Sequence, residues 1–276
     1  MTSFAAPESI VAHALRFRAE GRTPAPPRPA ATVLLLRPAA SEPAGFEVYV
    51  IRRRAAMTFG GMYAFPGGGV DPADSAVRPD WSGPTPRDWA ERLGLPVGPA
   101  QAVVCAAARE VFEEAGVLLA GRHPGDLLDD VRGDEWERRR QALVDRRIGF
   151  ADLLRECRLT LRSDLLLPWS RWITPEFEPR RFDTYFFVAL LPDGQCPRDV
   201  SGEADHTMWI RPADALARVA AGELAMLPPT LVTLTEIAAC PDLAAVPAAA
   251  AGRDPATPVL PRLELPPSGP ARFVLD

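Results

Sequence analysis

The chain has 276 residues, 31 basic against 36 acidic, for a net charge of −5 and a pI near 5.4. Every basic residue is arginine, which excludes a Schiff-base lysine, a P-loop lysine and any lysine paired with nucleotide phosphates, and the lack of asparagine leaves no N-glycosylation acceptor. The acidic balance argues against a general nucleic-acid or membrane-surface binder, no apolar run reaches the roughly 18 residues of a membrane span, and the first 22 residues lack the apolar core of a secretory signal.

Pro24 to Pro29 reads as an extended linker, and Ala31 to Leu36 and Glu47 to Ile51 read as two strands of a hairpin around a turn-rich loop. Phe59 to Asp74, with five glycines and two prolines, reads as loop rather than helix. After a short helical patch at Arg87 to Leu93, the stripe Val103, Ala107, Val111 and Ala115 predicts a helix over Gln101 to Ala115, ended by Gly116. The charged stretch Asp134 to Leu159 reads as helical with a solvated face. Leu165 to Thr174, Thr184 to Leu191 and His206 to Ile210 read as strands, and Pro212 to Ala221 and Pro229 to Ala239 as helices opening on proline. Beyond Pro241 the Ala/Pro-rich chain reads as irregular, with Ala271 to Leu275 as an edge strand. The mixture lacks regular βαβ alternation, which favours an α+β or a layered α/β/α architecture over a doubly wound sheet. The four cysteines and three histidines are too dispersed for a zinc site or a disulfide framework, so buried thiols in a reducing cytoplasm are expected, and with them a cytoplasmic location.

The segment Arg109-Glu110-Val111-Phe112-Glu113-Glu114-Ala115-Gly116-Val117 carries the chemistry. On a helix, positions 110, 113 and 114 share one face, so three carboxylates converge in the last turns before the glycine. A helix C-terminus disfavours negative charge by about 0.3 to 1 kcal/mol per residue, and like charges at this spacing repel, so the acids stabilise nothing by themselves. A hard divalent cation offsets that repulsion, and an oxygen-only donor set argues against zinc.

Upstream, five residues separate Gly68 from Asp74, and 34 more separate Asp74 from Arg109. With these spacings the sequence resembles the Nudix hydrolases, whose signature is Gly, five residues, Glu, seven residues, then Arg-Glu-aliphatic-x-Glu-Glu-x-Gly-aliphatic. Arg109 to Val117 matches throughout, Asp74 stands where the family has Glu, and 27 additional residues, with Trp81 and Trp89, loop out between the two halves. That insertion, with FPGGGVDPAD and the segments RRFDTYFFVALLP and GEADHTMWIRPADAL, is similar to the subgroup of peroxisomal coenzyme A diphosphatases and their bacterial relatives.

The resemblance implies an α/β/α sandwich with a mixed sheet, carrying a helical insertion and a C-terminal extension. It divides the chain into an N-terminal extension (1–28), a hydrolase domain (29–240, insertion about 75–101) and a Pro/Ala-rich extension (241–276). It implies a metal-dependent pyrophosphohydrolase that cleaves a nucleoside diphosphate linked to a group X. Coenzyme A or acyl-CoA is the first candidate, and NADH, ADP-ribose and dinucleoside polyphosphates the others. A catalytically silent nucleotide-metabolite sensor is the alternative. Mg²⁺ or Mn²⁺ is implied on Glu110, Glu113 and Glu114, with Glu110 as ligand or general base and Arg109 orienting the carboxylates. Gly67, Gly68 and Gly69 are expected near the metal or phosphate, and Arg52, Arg53, Arg54, Arg180 and Arg181, which flank predicted strands, on substrate phosphates. An extra ligand or base outside the signature is expected from Glu203, then Asp205. The coenzyme A signature has an arginine four residues before its first glycine, where this chain has Met57. The expected partner is a small-molecule diphosphate, with no nucleic acid and no membrane, and a homodimer is the assembly allowed for.

Overall fold

The structure is a computed structural model that describes residues 3–6, 8–40, 45–54, 60–198, 204–266 and 269–275. Its main sheet runs, in spatial order, through Ala204–Ile210, Phe46–Arg53, Arg28–Pro38, Phe182–Leu190, Leu167–Ile173 and Pro258–Val259. The predicted hairpin is present, with Leu36 opposite Val48. Arg28–Pro38 also runs parallel to Phe182–Leu190, from Arg28 opposite Phe182 to Leu36 opposite Leu190. Its run of four aliphatic residues, Val33 to Leu36, is fully buried because both faces of the sheet are covered. Val33 and Leu35 pack with Val103, Ala107 and Val111, whereas Leu34 and Leu36 pack with Leu234, Ile237 and Val246. The result is the expected α/β/α sandwich.

The hairpin strands pair only near their turn. Further along, Gly67–Gly69 takes the edge of Arg28–Pro38, with Gly69 opposite Ala30 and Gly67 opposite Thr32, while Tyr63–Ala64 pairs with Ile51 and Arg52. The glycine run is thus wedged where two strands diverge. The loop expected at Phe59 to Asp74 is corrected: beyond its first residue, which lies outside the described residues, it contains these two short strands and the start of a helix, Pro72–Ala76. Asp71 caps that helix through Ala73, Pro72 opens it, and Asp74 closes the capping box by accepting from the Asp71 N–H.

The predicted carboxylate helix spans Val97–Ala115, four residues longer at its start, and ends at Gly116 with φ +68. Its expected stripe faces the sheet, but its other side is buried too. Cys105, Ala108 and Phe112 pack against Leu143, Phe150, Leu153 and Leu154 of the following helices Asp134–Val144 and Phe150–Glu156. Arg140 is 3% exposed, so the charged stretch is not simply a solvated face. The 27-residue insertion does not merely loop out. It supplies the capped helix Pro86–Leu93, whose Trp89 and Leu93 enter the main core, together with the first turns of the carboxylate helix.

The chain ends form a further layer. Ser3–Ala5 pairs with Arg272–Val274, which pairs with Arg262–Glu264, so the expected edge strand is instead the middle of three. Helix Glu8–Ala19 packs Ala14 against Phe177, Leu263 and Phe273. The region after Pro241, expected to be irregular, also holds the helix Val246–Ala251. All four cysteines are free thiols; Cys105 is buried, its thiol pushed up to about 12 mainly by burial, but Cys196 is exposed, which corrects the expectation that all are buried.

Candidate active site

The carboxylate helix carries Glu110, Glu113 and Glu114 in its last turns; Arg109, 8% exposed, is bonded to the first two, which line a cleft that Glu114 does not. Its Nε and Nη2 donate to the two oxygens of Asp74, each at 3.0 Å. Its Nη1 donates to Glu110 at 2.8 Å and to Glu113 at 3.1 Å, and Nη2 also reaches the Gly69 carbonyl at 2.9 Å. Asp74 is 1% exposed, so the shortened arm produces a buried bidentate fork to Arg109. Glu114 accepts from the Gly67 N–H at 2.7 Å, which ties the helix to the glycine strand.

Three carboxylates, those of Asp74, Glu110 and Glu113, therefore meet Arg109 in a mostly buried cluster, and the local chemistry shows the excess of acid around it. Burial, with Glu113 and Asp74 adding to it, pushes the Glu110 carboxyl up to about 7 despite the opposing pull of Arg109. Burial likewise raises Glu113. Arg109 is shifted to still higher basicity, because its acidic partners outweigh the desolvation that opposes its charge. Among the described residues no three His, Cys, Asp or Glu side chains are already grouped as a metal cage. The donor set, all hard carboxylate oxygens, nevertheless fits a divalent cation and not a soft one.

Glu110 and Glu113 line a cleft of about 1170 Å³. The three glycines line it as well, and none of them has positive φ; what matters is close approach. A Cβ on Gly68 would lie 2.5 Å from Glu110 Oε1, and one on Gly67 would lie 2.5 Å from the Ala31 carbonyl oxygen, whereas one on Gly69 meets nothing within 4 Å. Three alanine substitutions should therefore separate. Gly68→Ala displaces the flexible Glu110 and should cost up to about 100-fold in rate with little loss of stability. Gly67→Ala meets backbone and should cost about 1–3 kcal/mol, and Gly69→Ala should stay within about 0.5 kcal/mol. Thermal unfolding and a rate assay on each variant check this order, which fails if Gly69→Ala is the most damaging.

The expected arginines are distributed differently from one another. Arg53 and Arg180 line the cleft; Arg52 and Arg54 are not among its lining residues. Successive strand residues face opposite sides, and Arg52 instead pairs with Asp205 at 2.6 Å on the neighbouring strand. Asp205 is thus held by Arg52 rather than placed with the carboxylate cluster. Arg181 is buried and donates to the Thr174 and Ala25 carbonyls, a structural role. Glu203 and Met57 lie outside the described residues.

Sequence reasoning missed one wall altogether, residues 143–150, with Arg146, Arg147 and Ile148 facing the cleft. Arg140 fixes this wall to the carboxylate helix by donating from Nη1 to the Glu113 carbonyl at 2.7 Å, a cation on a helix end. Nothing in the run Arg138-Arg139-Arg140 distinguishes Arg140 from its neighbours.

Comparisons with known proteins agree in one direction. Residues 84–237 match the family model described as the NUDT19 Nudix domain. A protein of Gallus gallus named acyl-coenzyme A diphosphatase NUDT19 is 28% identical over 262 residues, covering 76% of this chain and 68% of that protein. Its namesake in Xenopus laevis is 26% identical over 147 residues, covering 49% of this chain. The chain spans less than half the length of two of the curated relatives it matches, 44% and 38%. A crystal structure of a Nudix hydrolase from Alicyclobacillus acidocaldarius superposes with a TM-score of 0.67 at 30% identity, over 81% of this chain and 96% of that one.

Proposed function

The chain belongs to the Nudix hydrolase family, and from that premise we propose that it hydrolyses the diphosphate linkage of a nucleoside diphosphate joined to a second group, with coenzyme A or an acyl-coenzyme A as the first substrate. The observation that carries this reading is the gathering of three carboxylates, Asp74, Glu110 and Glu113, on Arg109, with Glu110 and Glu113 lining an arginine-lined cleft. Glu110, Glu113 and Glu114 would hold Mg²⁺ or Mn²⁺, which when bound neutralises phosphoryl charge and lowers the pKa of the attacking water.

The chain's own residues do the rest. Arg109 spends its donors on Asp74, Glu110, Glu113 and Gly69, so it orients the carboxylates and does not reach for substrate. Glu110 serves as an ion ligand or as the acceptor of the water proton. Arg53 and Arg180 line the cleft and supply guanidinium forks for phosphate oxygens. The coenzyme A assignment draws on the names of the curated relatives and on the G-x-x-x-F-P-G-G run from Gly61 to Gly68.

A substrate panel with Mn²⁺ tests the proposal: coenzyme A, an acyl derivative, NADH, ADP-ribose and a dinucleoside polyphosphate. Release of phosphopantetheine or its acyl form from the first two is the expected result. Turnover confined to another substrate moves the assignment to that substrate, and turnover of none refutes hydrolysis.

A further inference from the structure

We infer that the turn at residues 145–149 is a second anion subsite, in which Arg146 and Arg147 take a phosphate monoester of the substrate lying outside the hydrolysed linkage. The inference rests on the reading above for the placement of the diphosphate at Glu110 and Glu113. The cleft is larger than the 300–1,000 Å³ or so typical of small-molecule pockets, so it has room for a cofactor-sized substrate well beyond a diphosphate. Six arginines line it, and Arg109 is committed to the carboxylates. Arg28, Arg53 and Arg180 come from the strands or the turn beside them, whereas Arg146 and Arg147 come from the turn between the helices Asp134–Val144 and Phe150–Glu156.

These two have partners that are easily exchanged. The Arg146 side chain is 84% exposed, and its ion pair is a 3.4 Å approach to Asp71. Arg147 pairs with Asp145, two residues away, at 3.0 Å on the surface. Exposed pairs of this kind are weak, and a dianionic phosphate offers each guanidinium a stronger, forked acceptor. The turn beneath them is firm: Arg147 donates its N–H to the Ala142 carbonyl at 2.8 Å, Phe150 and Leu143 are buried against the carboxylate helix, and Arg140 is bonded to that helix. Two guanidinium groups are thus presented from a fixed wall, beside Asp71 at the cleft.

Arg146 has φ +56, where the helix Asp134–Val144 has ended, and glycine occupies that region without strain. Arg146→Gly therefore removes the charge while easing the backbone. The test uses the intact chain with EDTA present, titrated with two ligand pairs that differ by one phosphate monoester: coenzyme A against dephospho-coenzyme A, and NADPH against NADH. The wild type is expected to prefer the phosphorylated member of at least one pair by about tenfold or more. Arg146→Gly combined with Arg147→Ala should remove the preference, and Arg146→Gly alone should leave the thermal midpoint unchanged or higher. A wild type without preference in either pair, or a preference that survives both substitutions, overturns the subsite. A preference that behaves as expected in a chain that cleaves nothing with Mn²⁺ overturns the hydrolase reading and leaves the subsite standing.

Discussion

Replacing Glu113 and Glu114 together by glutamine is expected to lower the rate of diphosphate hydrolysis by at least about 10³-fold, equivalent to about 4 kcal/mol of transition-state stabilisation, without weakening the metal-free fold. The two carboxylates belong to a cluster in which Arg109 is the cation bonded to Asp74, Glu110 and Glu113. Glutamine retains an oxygen to accept from Arg109 at position 113 and from the Gly67 N–H at position 114, so the hydrogen bonds that lock the helix to the glycine strand persist. What disappears is negative charge that burial already penalises at Glu113. A site that holds surplus charge for function gives up stability, so its neutralised form should unfold at an equal or higher temperature. Rate assays and thermal unfolding, both on the same purified variant, decide the matter. Unchanged hydrolysis removes the metal-site assignment.

The second large effect is on stability. Asp74→Ala is expected to cost about 3–5 kcal/mol, because it strips both acceptors from the Nε and Nη2 of a buried arginine and leaves its charge undercompensated. The same substitution opens the capping box of the helix Pro72–Ala76, since Asp74 accepts from the Asp71 N–H at 2.8 Å. Against a typical total of 5–15 kcal/mol this is a severe loss. Asp74→Asn, which keeps an acceptor for each of these roles in part, should cost less. Denaturant titration of the two variants measures the difference; a loss below about 1 kcal/mol for Asp74→Ala would show that Glu110 and Glu113 suffice to hold Arg109.

The contrast between Asp74 and Arg140 shows what the residues alone make legible. The helix bearing Glu110, Glu113 and Glu114 follows from a stripe of aliphatic residues and a terminal glycine, both local signals, and its end at Gly116 is where periodicity places it. Asp74 was marked by its spacing from Gly68, but its fork to Arg109 closes over an intervening segment whose path no local pattern specifies. Arg52, Arg53 and Arg54 are alike as letters. Which of them faces the cleft is decided by the pairing of Phe46–Arg53 with Tyr63–Ala64 on one edge and Ala204–Ile210 on the other, a tertiary fact. Arg140, Arg146 and Arg147 sit in a stretch whose charge pattern is that of any solvated helix; only the burial of Phe112 and Phe150 behind it turns that stretch into a wall of the cleft.

The pairing of Ser3–Ala5 with Arg272–Val274 has a kinetic meaning. It joins segments separated by almost the whole chain, and the entropy of closing so long a loop is recovered only once the intervening structure has shortened the path. The small terminal sheet is therefore a late seal on a sandwich that is already assembled. The carboxylate helix and the central strands must find one another without its help.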